Sequence, residues 1–140
     1  MNETLFTKIL NYYQITEKDY EELVAPVDET NFAGNRHFKH AEEACELVRA
    51  IMKEQGKIFI YGDYDADGIM GTSILTKMFE YEDYIVDYYI PNRYQDGYGL
   101  TLKKAQECID NGVSLVICVD NGISAFEPIA LLKQNGVKVL

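Results

Sequence analysis

Two short acidic stretches hold the residues best suited to chemistry. Asp63, Asp65 and Asp67 stand in YGDYDADG and Asp120 stands in VDNG, each just after an apolar run, IFIY and LVICV. Runs of that kind read as strands buried on both faces, and in open parallel sheets ligands collect at the carboxyl ends of the strands. Four carboxylates converging on one such edge repel one another unless a cation lies between them. A divalent ion meets that need, and an all-oxygen donor set favours magnesium or manganese over zinc. Gly62, Gly68 and Gly122 let the backbone come close to such a site.

The pattern has other readings. Asp and Gly are ordinary loop residues, so D-x-D-x-D-G alone is not diagnostic. It matches the opening of a calcium-binding EF-hand loop, but Ile74 stands where the bidentate Glu should be and a strand, not a helix, precedes it. A haloacid-dehalogenase-type phosphatase would use Asp65 as nucleophile and Asp67 as acid. There the first Asp follows its strand directly, whereas here Gly62, Asp63 and Tyr64 intervene, and Ile69 follows Gly68.

Beyond the acids, Arg93 in PNR follows the next apolar segment, where a guanidinium could grip phosphate oxygens bidentately. Its competing role is a surface ion pair with Asp96. Tyr98, Tyr94 and Gln95 flank the same position, and tyrosine can stack on bases, although with 11 tyrosines in the chain most must simply pack. Cys45, Cys108 and Cys118 are odd in number, far apart and set among apolar residues, which reads as buried reduced thiols. His37 and His40, in HFKH, could share a helix face and hold a metal, but with no second ligand pair a solvated helix start is the expectation.

These residues need a frame. Helices are expected over Leu5 to Tyr13 and Thr16 to Val24, the second with a Thr16/Asp19 cap, then a punctuated linker over residues 25–35. A helix from Lys39 should bury Ala41, Ala44, Cys45, Val48, Ile51 and Met52 and end at Gly56. Strands are expected at Lys57 to Gly62, Tyr84 to Ile90, Ser114 to Val119 and Val137 to Leu140. Helices should fill the gaps: Gly68 to about Phe79, Leu102 to Asp110, and one opened by a Ser124/Glu127 capping box and running to Gln134. Alternating strands and helices at this spacing predict an α/β fold, a parallel sheet with helices on both faces, preceded by a short helical amino-terminal segment. The division is residues 1–38 and 39–140.

The chain has 140 residues, 47% hydrophobic and 26% charged, which are ordinary globular values. No run approaches the roughly 18 apolar residues of a membrane span, and the start lacks the order of a secretion signal, so a cytoplasmic protein is expected. The net charge of −10 argues against binding nucleic acid by bulk electrostatics. The acidity is spread, with six basic against eleven acidic residues up to Gly56 and seven against twelve beyond it. Any contact with DNA must be local or metal-mediated. VKVL opens a buried strand at the very end, so the sequence is expected to be a fragment.

Three segments together resemble one family. GKIFIYGDYDADGIMGTSIL resembles the first motif of the RecJ branch of the DHH phosphoesterases, PNRYQDGYGL the segment after the next strand, and VICVDNGISA the second motif, in the family's order. The resemblance covers about residues 40 to 140 and implies a partial Rossmann-like DHH domain. It also implies two-metal phosphodiester hydrolysis with Mn2+ or Mg2+, Asp65 and Asp67 each holding one ion, Asp120 bridging them and Asp63 supporting the cluster from its edge. Related phosphatases carry a histidine where Tyr61 stands, which leaves the first ion less well held. The implied activity is a 5′-to-3′ exonuclease on single-stranded DNA in recombination and repair, with a helicase or a single-strand-binding protein as partner. The family's Asp-His-His motif and a further metal-binding Asp are not in the sequence, so weak metal binding and no detectable cleavage are expected of these 140 residues. Within the family the alternative is a nanoRNA or cyclic-dinucleotide phosphodiesterase; outside catalysis, it is a docking module.

Overall fold

The computed structural model describes residues 4–26 and 39–140, which divide into two compact units, Met1–Lys39 and His40–Leu140. The first unit contains α1 (Leu5–Tyr12) and α2 (Glu17–Val24). Thr4 caps α1, and Thr16 with Asp19 forms the expected capping box on α2. The edge-to-face pair Phe6 and Tyr20, with centroids 5.0 Å apart, links the two helices. His37 and most of the expected linker lie outside the described residues.

The second unit runs α3 (Ala41–Lys53), β1 (Lys57–Tyr61), α4 (Ala66–Tyr81), β2 (Asp87–Tyr89), α5 (Leu102–Asp110), β3 (Val113–Cys118), α6 (Phe126–Gln134) and β4 (Lys138–Val139). All pairings are parallel and the strand order is β2-β1-β3-β4. Strand periodicity divides the core between the sheet's two faces. Ile58 and Ile60 of β1 join Leu115 and Ile117 of β3 under α3 and α4, around Ile51 and Phe79. Tyr61 and Val116 point the other way, toward Ala105 and Cys108 of α5 and Leu132 of α6. Ile60, Phe79, Leu115 and Leu132 are completely buried, each contributing about 2 kcal/mol from burial. Helices therefore cover both faces, as the alternation predicts.

Several local expectations change. α4 starts at Ala66 rather than Gly68, because the Asp65 carboxylate accepts from Gly68 N at 3.0 Å and acts as its N-cap. β2 is only three residues long, since its parallel register on β1 pairs Phe59 to Tyr61 alone. The Ser124/Glu127 capping box does not form. The turn after Gly122 closes with Ala125 N donating to Gly122 O, which delays α6 to Phe126 and leaves Ala125 as a cap without a side-chain bond. Cys45 is exposed rather than buried, because α3 buries its carboxyl-terminal half, around Leu47, Val48, Ile51 and Met52. Cys108 is buried and Cys118 half-buried, both as free thiols. His40 is exposed at the start of α3 and pairs with Glu43 at 3.1 Å, in keeping with the solvated reading.

Candidate metal centre

The order β2-β1-β3-β4 has a topological switch point between β1 and β3. From β1 the chain crosses to β2 on one side; from β2 it crosses over β1 to β3 on the other. The loops leaving two such strands diverge and open a crevice at their carboxyl ends. Both acidic stretches emerge there. One carboxylate oxygen from each of Asp63, Asp65 and Asp120 lies within 4.8 Å of the other two.

Each acid is held differently. Asp63 is 3% exposed, and its Oδ1 accepts from Tyr64 N at 2.7 Å. Asp65 caps α4, so the partial positive charge of that helix's amino terminus faces the cluster. Gly68 makes this approach possible. A Cβ there would lie 2.5 Å from Asp63 Cβ and 2.7 Å from both its Cα and its N. Asp120 adopts left-handed backbone, φ 59°, a conformation rare outside glycine and tolerated best by Asn and Asp. Partial desolvation, then the charges of Asp65, Asp67 and Asp63, hold its carboxyl above the usual carboxylate range. Repulsion of that kind is what a bound cation relieves.

Asp67, in the first turn of α4, is exposed and lies outside the trio, though near enough to act on Asp120. Asp63, expected only at the edge of the cluster, is inside it. The motif spacing identifies the sheet edge, and Asp67 differs from the trio in standing within the first turn of α4. Tyr61 is buried and donates its hydroxyl to Gly99 O at 2.9 Å, so residue 61 is committed to the core on the α5 and α6 side. Burial is the main reason its phenol is pushed up to about 12.

A row of aromatic and cationic groups lies beside the acids. The Arg93 guanidinium carbon stands 5.6 Å from the Tyr64 ring centroid, and Tyr64 meets Tyr98 edge to face at 6.4 Å. The Tyr98 hydroxyl makes a long contact, 3.5 Å, to Asp120 O. Asp96 does not pair with Arg93. It accepts from Asn92 N at 2.7 Å and Tyr89 Oη at 2.8 Å, which fixes the turn that presents Arg93. Among the described residues Arg93 makes no ion pair. Tyr94 is 95% exposed. Tyr64 escaped sequence reasoning, although its place between two of the aspartates was a signal.

The donor set fits a hard divalent ion. Ligand oxygens about 2.1 Å from a shared octahedral ion lie about 3 to 4.2 Å apart, so a trio within 4.8 Å needs only slight contraction. Neither nitrogen nor sulfur belongs to the trio, which disfavours zinc.

Residues 57–140 match the family model described as the DHH family, N-terminal domain. The single-stranded-DNA-specific exonuclease RecJ of Haemophilus influenzae is 41% identical over 102 residues, 71% of this chain and 17% of that protein. RecJ of Bacillus subtilis is 37% identical over 102 residues, 73% of this chain and 13% of its own length. The chain thus spans less than a fifth of these curated relatives. Among solved structures, exonuclease RecJ bound to manganese superposes with a TM-score of 0.65 at 32% identity, covering 81% of this chain and 28% of that one. RecJ from Thermus thermophilus in complex with Mn2+ gives 0.59 at 27% identity, covering 93% and 17%. With the fold, the acidic edge and the three sequence segments all in agreement, the chain belongs to the DHH family.

Proposed function

We propose that residues 39–140 are the first part of a DHH phosphoesterase domain serving a 5′-to-3′ exonuclease on single-stranded DNA, with manganese or magnesium as cofactor. The observation that carries this reading is the convergence of Asp63, Asp65 and Asp120 at the switch point, in a chain similar to manganese-bound RecJ structures. Asp65 and Asp120 would hold a first ion with Asp63, and Asp67 would contribute to a second that Asp120 shares. Bound there, divalent ions supply Lewis-acid stabilisation of the charge on a phosphodiester undergoing hydrolysis.

The protein's own groups complete the picture. Arg93, with no carboxylate partner among the described residues, is available to a phosphate, and Tyr98 offers a face to a base. Tyr64 contacts both. Contact through a few such groups suits a chain of net charge −10, which cannot draw DNA by its overall field. No helix among the described residues is long and apolar enough to cross a membrane, and a cytoplasmic setting with a helicase or single-strand-binding partner belongs to the same proposal. The Asp-His-His motif and the further metal-binding Asp that the family resemblance implies are not among these 140 residues, so alone they should cleave nothing detectable.

The test is a hybrid in which residues 57–140 replace the matched segment of the B. subtilis relative. Manganese-dependent digestion of 5′-labelled single-stranded DNA, lost on Asp120→Asn, is the expected result. A folded hybrid that binds manganese yet leaves that DNA intact overturns the assignment.

A further inference from the structure

We infer that Asn121 is a positioning residue of the metal centre: its amide ties the end of β1 to the end of β3 and so sets the distance between Asp63 and Asp65 on one loop and Asp120 on the other. The inference rests on the metal-centre reading proposed above and adds a residue outside its ligand set.

The Asn121 Nδ2 donates to Tyr61 O at 3.1 Å and to Val119 O at 2.8 Å. Both acceptors are backbone carbonyls, which cannot donate, so a flipped amide would set oxygen against two oxygens and the orientation is forced. Tyr61 O also receives Val119 N at 2.9 Å, the last backbone rung between the two strands. The side chain therefore adds one more rung, beyond the point where the backbones separate. Beyond that rung Asp120 has entered left-handed backbone. Among the hydrogen bonds of the described residues, these two rungs are the final ties between the loops that carry the acids.

The clamp acts at short range. Tyr61 is two residues before Asp63, and Asp120 lies between Val119 and Asn121, so a change in the rung passes to the carboxylates with little chain in which to dissipate. The amide also has an unmet demand. With both Nδ2 hydrogens spent on carbonyls, the Asn121 Oδ1 is buried with no hydrogen-bond partner among the described residues. A residue serving stability alone would be expected to satisfy both ends of a buried amide. Groups that orient metal ligands without touching the ion typically alter affinity by about 10- to 100-fold when removed.

The experiment is manganese calorimetry on the 140-residue chain and its Asn121→Ala and Asn121→Ser variants, with thermal unfolding of each. Ile129→Ala, on α6 across the sheet from α3 and α4, serves as a control for general destabilisation. All titrations are run well below the lowest melting temperature. The expected result is a loss of at least about tenfold in affinity for Asn121→Ala, a smaller loss for Asn121→Ser, which keeps one donor, and less than about twofold for Ile129→Ala. Affinity within twofold of wild type in both Asn121 variants overturns the positioning role while leaving the metal centre intact. Equal losses in Ile129→Ala reduce Asn121 to a stabilising residue. Absence of manganese binding in the wild-type chain removes the metal centre itself, and the inference with it.

Discussion

Replacing Gly68 by alanine sets two effects against each other. Gly68 lies inside α4, where helix propensity alone makes alanine better by about 1 kcal/mol. The added methyl, however, would lie 2.5 to 2.7 Å from Asp63 Cβ, Cα and N, about 1 Å inside ordinary contact. Two of those three atoms are backbone, and Asp63 is itself buried, so neither side can swing away. Overpacking of this kind costs about 1 to 3 kcal/mol, and a clash with backbone belongs at the upper end. The net expectation is a destabilisation of about 1 to 2 kcal/mol, or a fall in Tm of roughly 4 to 16 °C for a domain of about 100 residues. Urea and thermal unfolding measure it. Gly71→Ala is the internal comparison, because its Cβ would meet only a methyl of Val119, and it should cost less. The clash also pushes the Asp65 cap away from Asp63, so manganese affinity should fall in Gly68→Ala beyond what stability accounts for. A Gly68→Ala protein as stable as wild type would show that α4 does not sit on Asp63 as described.

Three further outcomes are expected. Burial pushes the Cys108 and Cys118 thiols up to about 11 and the Tyr61 phenol up to about 12. Groups with raised folded-state pKa values stabilise fully below their unfolded values and lose that contribution as pH rises through the folded ones. Unfolding free energy should thus be flat from pH 7 to 8.5 and fall between about pH 9 and 12, and a curve without that fall contradicts the burial of these groups. In the native chain a thiol reagent should modify exposed Cys45 quickly and Cys108 only on unfolding; simultaneous labelling of both would contradict the packing of α5. Arg93→Gln should weaken binding of a 5′-phosphorylated thymidine oligonucleotide in the presence of manganese by about tenfold without altering manganese affinity, and unchanged affinity would remove its phosphate role.

Much of this was legible in the residues. Apolar runs separated by periodic segments specified the parallel sheet, because a strand covered on both faces has little choice of composition. The acids after IFIY and LVICV then had to meet at one edge. What stayed hidden depended on angles and on competing hydrogen bonds. Asp65 reads as a ligand from its spacing, yet it also caps α4, with Asp63 buried on one side of it and Asp67 exposed in the helix's first turn on the other. Ser124 and Glu127 have the spacing of a capping box, but the left-handed turn through Asp120 and Gly122 carries the chain past the point where the box could close. Cys45 has core-facing periodicity on a helix that buries only its other half. Asn121 has an ordinary loop composition, and its clamp appears only when Tyr61, 60 residues earlier, is brought alongside.

The most direct measurement is a manganese titration of this chain beside its Asp65→Asn and Asp120→Asn variants, with the stability of each measured without metal. The expected result is weak binding, with a dissociation constant on the order of 10⁻⁴ M, that disappears in both variants. Metal-free Asp120→Asn should be no less stable than wild type, because Asn tolerates left-handed backbone and the substitution relieves the repulsion that raises the Asp120 pKa. Manganese binding that survives both substitutions, or is absent from the wild-type chain, would show that the carboxylates at the switch point do not form a metal centre.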